Sequence, residues 1–245
     1  MIASFVTGYR YGLSGLSWLL RPRTRMFVLL PLLINVAVFS VGIMWLAVAT
    51  EDLRLAAESW LPAWLDWVAW LLWPIAVLSM LVIVWLGFTL LANLIGSPFN
   101  GILSERVQQE HAPGIRTGAL SAWQEAIKAP YFELIKIGYF LLLAIPVLIL
   151  SVIPVVNVFA PVTWAVFGSW ILAVEYCDYP MGNDGIRLRE QKKRLRQDRW
   201  LVLGFGAGVM TLTLIPGLNL LAMPSAVIGA TLLWCDRLAG RADGP

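Results

Sequence analysis

The sequence predicts an all-α integral membrane protein, and three observations lead to this prediction. Of the 245 residues, 59% are hydrophobic and 13% are charged, whereas soluble domains contain about 25% charged residues. Apolar runs of about 20 residues recur, which is the length that a helix needs to cross the roughly 30 Å hydrocarbon core of a bilayer. A proline-rich turn motif also interrupts the apolar sequence twice. We therefore expect two long transmembrane helices plus two helical hairpins that at least partly enter the membrane.

The repeated motif has the form Pro-x-x-Asn and lies in residues 153–161 and 215–224, with Asn157 and Asn219 near the centres. Proline in a helix interior removes a hydrogen-bond donor and clashes with the preceding turn, so each copy predicts a turn between two apolar helices. Irregular backbone at membrane depth is tolerated only where it is buried in protein or lines a wet cavity. The two turns therefore favour a water-accessible path. The alternative is that both are ordinary loops in the headgroup region.

The first half of the chain is predicted to contain an interfacial segment and two full spans. Residues 1–25 lack the features of a secretory signal, and we expect a retained interfacial helix with an Arg-rich end. The apolar runs 26–49 and 68–95 are long enough to cross the bilayer, and tryptophans spaced three or four residues apart between them suit the membrane–water boundary. Residues 96–136 change to a polar pattern and are expected to form cytoplasmic helices.

The second half is predicted to contain the two hairpins. Hairpin 1 occupies residues 134–176, hairpin 2 occupies residues 201–235, and a basic cytoplasmic segment, 178–200, lies between them. At a rise of 1.5 Å per residue, the arms of hairpin 2, about 15 and 11 residues long, are too short to cross the bilayer. The arms of hairpin 1 leave both a partial entry and a full crossing open. Three glycines of hairpin 2 predict close helix packing: Gly204, Gly206 and Gly208.

The distribution of Lys and Arg predicts the orientation. Of the 18 Lys and Arg residues, only Arg54 falls between the two spans. The others fall in segments that share one side of the membrane if both hairpins enter and return. The positive-inside rule makes that side cytoplasmic, so both termini are expected in the cytoplasm. The basic run 186–199 is expected to attach to anionic membrane lipids.

The sequence contains no pattern that is typical of an enzyme. It has no Gly-rich phosphate loop, no nucleophile elbow and no metal-ligand cluster, so we expect no catalytic residue, no cofactor, no metal and no nucleic-acid partner. Without an ATP site, the protein cannot by itself be a primary pump. Cys177 and Cys235 are interpreted as free thiols, because two cysteines make no disulfide framework.

Polar residues in apolar surroundings are candidates for a hydrated path, because they are costly to place in a membrane. The candidates are Asn35, Asn93, Asn100, Glu105, Arg106, Asn157 and Asn219. Membrane asparagines also commonly hydrogen-bond between helices. Three interpretations of Glu105 and Arg106 stay open: they pair with each other, they set the electrostatic field at the entrance of the path, or they lie on a solvated helix face.

The Arg-rich stretch before the first span predicts an anion site. Arg21, Arg23, Thr24 and Arg25 surround Pro22 at the start of a helix, where free N–H groups and the positive end of the helix dipole attract anions. Arginine adds forked donors that suit tetrahedral oxyanions. The alternative is that these arginines only follow the positive-inside rule and contact lipid phosphates.

Several stretches together resemble the CysZ-type sulfate permeases of bacteria, over nearly the whole chain. These stretches are residues 25–35, 97–105 and 175–181 and the two Pro-x-x-Asn turns. The resemblance implies an inner-membrane protein that admits sulfate for cysteine biosynthesis without ATP. It also implies a homo-oligomer whose protomers contain two long spans and partly inserted hairpins.

The anion-binding motif of that family, Pro-Gly-x-Arg-Arg, falls on residues 22–26 of this chain. Pro22 and Arg25 match, whereas Arg23 replaces the glycine and Met26 replaces the second arginine. Loss of the glycine restricts how closely the backbone approaches an anion, so the implied site depends mainly on Arg25. Three functional hypotheses follow: a sulfate permease, a permease for another oxyanion such as thiosulfate, sulfite or molybdate, and a non-transport membrane adaptor or scaffold.

Overall fold

The structure is a computed structural model that describes residues 1–19, 21–60, 66–113 and 122–239. All regular elements in these ranges are helical, which confirms the predicted all-α class. The long helices are α1 (Ile2–Leu19), α2 (Pro22–Trp60), α3 (Asp66–His111), α4 (Ala122–Val152), α5 (Ala160–Asn183), α6 (Leu188–Gln197), α7 (Arg199–Leu214) and α8 (Asn219–Leu233). A short 3-10 turn, Val156–Phe159, precedes α5, and a π-helical turn, Trp234–Leu238, follows α8.

The chain divides into two compact units. The main unit contains Met1–Val28 and the chain from Asn100 onward, and the two-helix unit is Leu29–Phe99. The two-helix unit contains nearly all of the predicted span 26–49 and all of the span 68–95, and α2 and α3 extend beyond both. The change in sequence pattern after residue 95 does not end a helix, because α3 continues to His111. A helix can continue past Pro and Gly in a membrane protein because neighbouring groups form hydrogen bonds with the backbone groups that these residues leave unpaired.

Glycine contacts hold α1, α5 and α7 together in the main unit. A Cβ atom added at Gly8 of α1 would collide with the backbone of α7, and one added at Gly204 of α7 would collide with the backbone of α1. A Cβ atom added at Gly206 would instead collide with the backbone of α5 at Ser169. The predicted close packing of the α7 glycines is therefore confirmed, with α7 lying between α1 and α5.

Large apolar side chains fill the core between these helices. Phe205 and Val209 of α7 are fully buried, as are Leu103 and Val107 in the last turns of α3. The last turns of α3, which belong to the segment predicted as polar, therefore also contribute an apolar stripe at positions three to four residues apart, as an amphipathic helix requires. This stripe fixes the end of α3 against the helices that follow it in the chain.

Two helices are long and apolar enough to cross a membrane among the residues that the structure describes: Leu134–Val152 and Val156–Asn183. Both belong to hairpin 1, and most of their surface is exposed in the protein, as lipid-facing helices require. Together with the composition, they make this an integral membrane protein. Parts of 26–49 and 68–95 lie outside the described side chains, so their role as spans stays a prediction.

Both Pro-x-x-Asn motifs lie at breaks between helices. Residues 153–155 separate α4 from the 3-10 turn before α5, and residues 215–218 separate α7 from α8. The second proline of each motif lies within the following helix, Pro161 at the start of α5 and Pro224 inside α8. The breaks are thus shorter than the nine- to ten-residue motifs, and entry of the turns into the membrane stays a prediction.

Candidate functional site

Thr24 fixes the corner at which α1 ends and α2 begins. Its side chain is 1% exposed, and its hydroxyl lies within hydrogen-bond distance of the carbonyl of Trp18 and 3.2 Å from that of Arg21. The backbone amides of Thr24 and Arg25 both donate to the Arg21 carbonyl, each at 3.1 Å. A hydroxyl has one hydrogen to donate. Thr24 uses it in a hydrogen bond to the backbone and so holds the corner in place.

Arg21 is held against two neighbours at this corner. Its guanidinium carbon lies 3.6 Å from the centroid of the Trp18 ring, and its Nη1 lies 3.6 Å from Oε1 of Glu110 in α3. About half of the Arg21 side chain remains exposed. Because Glu110 offsets part of its charge, Arg21 presents a weakened but accessible set of N–H donors.

Arg25 is exposed one turn further along α2. No ion pair within the described part of the chain involves Arg25, so its guanidinium charge is uncompensated there. The side chain of Arg23 lies outside the described side chains. Of the four predicted anion ligands, Arg25 and Arg21 therefore present accessible donors, whereas Thr24 points into the protein.

A polar network that the sequence did not reveal packs against the corner. The ring of Trp18 meets His111 edge to face at 5.8 Å, and His111 Nε2 lies 2.7 Å from Oδ1 of Asp236. The hydroxyl of Tyr11 donates to Oδ2 of Asp236 at 2.8 Å. Burial, followed by the bond to Asp236, raises the pKa of Tyr11. These contacts connect α1, the end of α3 and the turn after α8.

We call Tyr11, Trp18, Arg21, Glu110, His111 and Asp236 the corner cluster. Its members stand up to 225 residues apart in the chain, so no local sequence pattern could have brought them together. The ends of three elements converge there, and this convergence gives the arginines a rigid base.

Asn100 is the most deeply buried of the path candidates that the structure describes. It is 6% exposed, and its Nδ2 lies beside the Tyr179 hydroxyl without an aligned hydrogen bond to any described residue. A buried donor whose hydrogen bond is poorly aligned is costly. Such a donor is suited to a water or an anion oxygen. Glu105, on the next turn, accepts a hydrogen bond from Gln109 at 3.0 Å.

The other path candidates lie elsewhere. Asn157 and Asn219 are exposed at the two turns, where their backbone amides donate to Ile153 and Ile215 at 3.0 and 3.1 Å. Arg106 is exposed on α3. The side chains of Asn35 and Asn93 lie outside the described side chains. The structure thus does not bring the turn asparagines together with the Arg-rich corner.

A buried lysine forms a second polar cluster that the sequence analysis missed. Lys136 of α4 is 4% exposed, and its Nζ lies 2.9 Å from Glu175 and 3.2 Å from Asp178 of α5. Gln191 of α6 donates to the other oxygen of Asp178 at 2.8 Å. The signal was available, because Lys136 is a cation at the start of an apolar arm and ionisable residues there are functional suspects.

Asp184 forms a third polar group at the end of α5. It accepts hydrogen bonds from Gln108 at 2.7 Å and from the Trp234 indole at 2.6 Å. Burial raises the pKa of Asp184 despite these bonds. The carboxylate thereby links α3, α5 and the end of α8. Among the described residues, no group of three His, Cys, Asp or Glu side chains has the arrangement of a metal site.

Comparison with known proteins gives matches along nearly the whole chain. Residues 11–224 match the family model described as Sulfate transporter CysZ/Etoposide-induced protein 2.4. A protein of Pseudomonas fluorescens named sulfate transporter CysZ is 42% identical over 96% of this chain and 95% of its own length. One of Pectobacterium atrosepticum with the same name is 38% identical over 94% of this chain and 85% of its own. The matched region includes the Arg-rich corner and both Pro-x-x-Asn turns.

Proposed function

We propose that this chain, which belongs to the Sulfate transporter CysZ/Etoposide-induced protein 2.4 family, is a sulfate permease of the bacterial inner membrane. The observation that carries the proposal is its 38–42% identity to two proteins named as sulfate transporters, over at least 94% of its length. Sulfate admitted in this way supplies cysteine biosynthesis. Because the sequence has no phosphate-binding loop for ATP, we propose that uptake proceeds without ATP hydrolysis.

Arg25 is proposed as the principal sulfate ligand. A tetrahedral dianion is bound best by charge-assisted hydrogen bonds, and a guanidinium offers five N–H donors. Two features support this assignment: Arg25 is exposed, and no carboxylate of the described chain pairs with it. Arg21 is proposed as the second ligand and Arg23 as a third, with Thr24 holding the helix start that carries them.

Weak binding suits a permease, because an ion must enter a site and also leave it. Glu110 lies 3.6 Å from Arg21 and so competes with the incoming anion for that guanidinium. We propose that this competition keeps sulfate exchangeable. Asn100, whose buried Nδ2 lies beside the Tyr179 hydroxyl without an aligned hydrogen bond, is proposed as a donor further along the path, together with Asn35, Asn93, Glu105, Arg106, Asn157 and Asn219.

The helix lengths support different membrane depths for the two hairpins. At 1.5 Å per residue, the 24 residues of α5 extend about 36 Å, which exceeds the roughly 30 Å hydrocarbon core. The 16 residues of α7 extend only about 24 Å. We propose that hairpin 1 crosses the bilayer and that hairpin 2 enters it from the cytoplasmic side, where both termini lie. We further propose that the protein works as a homo-oligomer.

Uptake of radiolabelled sulfate into liposomes tests the proposed function. The purified full chain is compared with empty vesicles under an inward sulfate gradient without ATP, and we expect faster uptake with the protein. Unlabelled thiosulfate, sulfite and molybdate are then added as competitors. Uptake no faster than in empty vesicles, with the protein folded and inserted, contradicts the proposal and favours a membrane adaptor. Stronger competition by another oxyanion than by unlabelled sulfate reassigns the substrate.

A further inference from the structure

We propose that the exposed basic face of α6 is a docking surface for the headgroups of anionic phospholipids. The basic face consists of Arg189, Lys193 and Arg196. This inference does not depend on the identity of the transported anion, because it concerns a different part of the molecule from the Arg-rich corner.

The geometry of α6 presents these three cations on one side. At 100° per residue, the three positions fall within an arc of roughly 60°. Gln191 and Leu195 point the opposite way and are buried. Gln191 donates to Asp178 at 2.8 Å and to the carbonyl of Ile186 at 2.9 Å. The helix is therefore fixed to α5 by its inner side, and its outer side is left to face the surroundings.

The other two cations of α6 are used inside the protein. Arg194 pairs with Glu190 at 3.2 Å, and the ammonium of Lys192 lies 4.2 Å from the centroid of the Tyr139 ring. In contrast, Arg189, Lys193 and Arg196 are exposed, and no ion pair in the described ranges joins them to a carboxylate. Three uncompensated cations on a rigid helix form a strongly positive surface.

The position of α6 in the fold identifies the partner as a membrane surface. The helix follows the apolar segment Val156–Asn183, which is long enough to cross a bilayer, so α6 starts at the level where that helix leaves the hydrocarbon. Trp200 lies in the first turn of α7 and is exposed. The guanidinium of Arg199 lies 5.9 Å from the centroid of its ring. Tryptophan is enriched at this depth, and basic clusters next to a membrane helix attract anionic lipids.

Lipid selectivity in reconstituted bilayers tests the proposal. The full chain is placed in phosphatidylcholine bilayers with a trace of spin-labelled phosphatidylglycerol or spin-labelled phosphatidylcholine. The fraction of motionally restricted label gives the preference for the anionic lipid. We expect a preference of about two- to fivefold that decreases as salt is raised.

Matched variants locate the preference. Arg189→Gln with Arg196→Gln should lower it to about half or less, whereas Arg189→Lys with Arg196→Lys should retain it. Arg10→Gln with Arg237→Gln removes the same charge from exposed positions elsewhere and should also retain it. The proposal is wrong if the first variant keeps the full preference, or if the Arg10 and Arg237 variant loses as much.

A further arm separates a lipid surface from a site for a single free anion. Inorganic phosphate is added at constant ionic strength in place of chloride. A docking surface for headgroups predicts an unchanged lipid preference. Loss of the preference with phosphate, but not with chloride, overturns the proposal in favour of a free-anion site.

Discussion

Val155 and Gly217 occupy the same place in the two copies of the repeated turn, each directly after its proline, and both have a positive φ angle. Their φ angles are 72° and 85°. Glycine adopts this conformation without steric cost, whereas an L residue with a side chain pays roughly 1–2 kcal/mol. The two copies therefore share a positive φ angle at this position as well as a sequence pattern. The backbone of the first copy is strained there, whereas that of the second is not.

Replacing Val155 by glycine should stabilise the protein. The side chain is 83% exposed, so little burial is lost. Relief of about 1–2 kcal/mol of strain exceeds the roughly 0.5–1 kcal/mol that glycine costs through entropy. We expect a net gain of about 0.5–1 kcal/mol in the free energy of unfolding, measured by denaturant titration in detergent. The reciprocal Gly217→Val variant should lose about 1–2 kcal/mol, and equal stability of both variants and the native chain would disprove the strain.

Replacing Gly8 by alanine should separate α1 from α7. The added Cβ would meet the carbonyl of Leu201, and overpacking of this kind costs about 1–3 kcal/mol. Gly138→Ala is the matched control, because nothing lies within 4 Å of its Cβ position and alanine favours a helix by about 0.5–1 kcal/mol. Thermal unfolding in detergent should show a lower midpoint for the first variant and an equal or higher midpoint for the second. Equal midpoints for the two variants argue against tight α1–α7 packing.

Replacing Lys136 by methionine should destabilise the main unit, because Glu175 and Asp178 lose the cation between them. Breaking a buried pair costs about 3–5 kcal/mol, but both carboxylates are about one-third exposed, so we expect about 1–3 kcal/mol after screening. Adding Asp178→Asn should cost less than the two single changes together, since the pair is coupled. Strict additivity in this double-mutant cycle would show that the two side chains do not interact.

The thiol of Cys235 should react slowly with iodoacetamide at neutral pH. Burial, followed by repulsion from Asp236, raises its pKa to about 12, and only the thiolate is nucleophilic. In a Cys177→Ala background, the rate should rise about tenfold per pH unit from pH 7 to 10 without a plateau. Glutathione serves as the exposed control and levels off near its own pKa. A plateau for Cys235 between pH 8 and 9 would contradict this environment.

Local sequence patterns were sufficient for the helical class and for the close approach at Gly204 and Gly206. They were insufficient for α1, whose glycines at 8, 12 and 15 bury one face against α7 and α8. The spacing was visible in the sequence, but the partner helix is about 200 residues away. When its tertiary contacts are unknown, an apolar helix that precedes a span is therefore predicted to lie at the membrane interface.

The Arg-rich corner shows the same limit at the level of a site. The sequence predicted Arg21, Arg23, Thr24 and Arg25 as donors for an anion, and it could not show that the Thr24 hydroxyl bonds to the end of α1. It also could not show Glu110 beside Arg21, because that contact depends on how the last turns of α3 pack. Residue type and helix position indicated the chemistry, whereas tertiary packing decides which side chains remain accessible.

The most direct test of the proposed anion site is sulfate flux through Arg25→Gln compared with Arg10→Gln in the same liposomes. Each variant removes one exposed arginine charge, and only Arg25 lies at the start of α2. A charge-assisted hydrogen bond contributes about 1.5–3 kcal/mol, so we expect Arg25→Gln to slow uptake at low sulfate concentration by roughly tenfold or more. Arg10→Gln should transport at the native rate. Native flux through Arg25→Gln would contradict the assignment of the anion site to the Arg-rich corner.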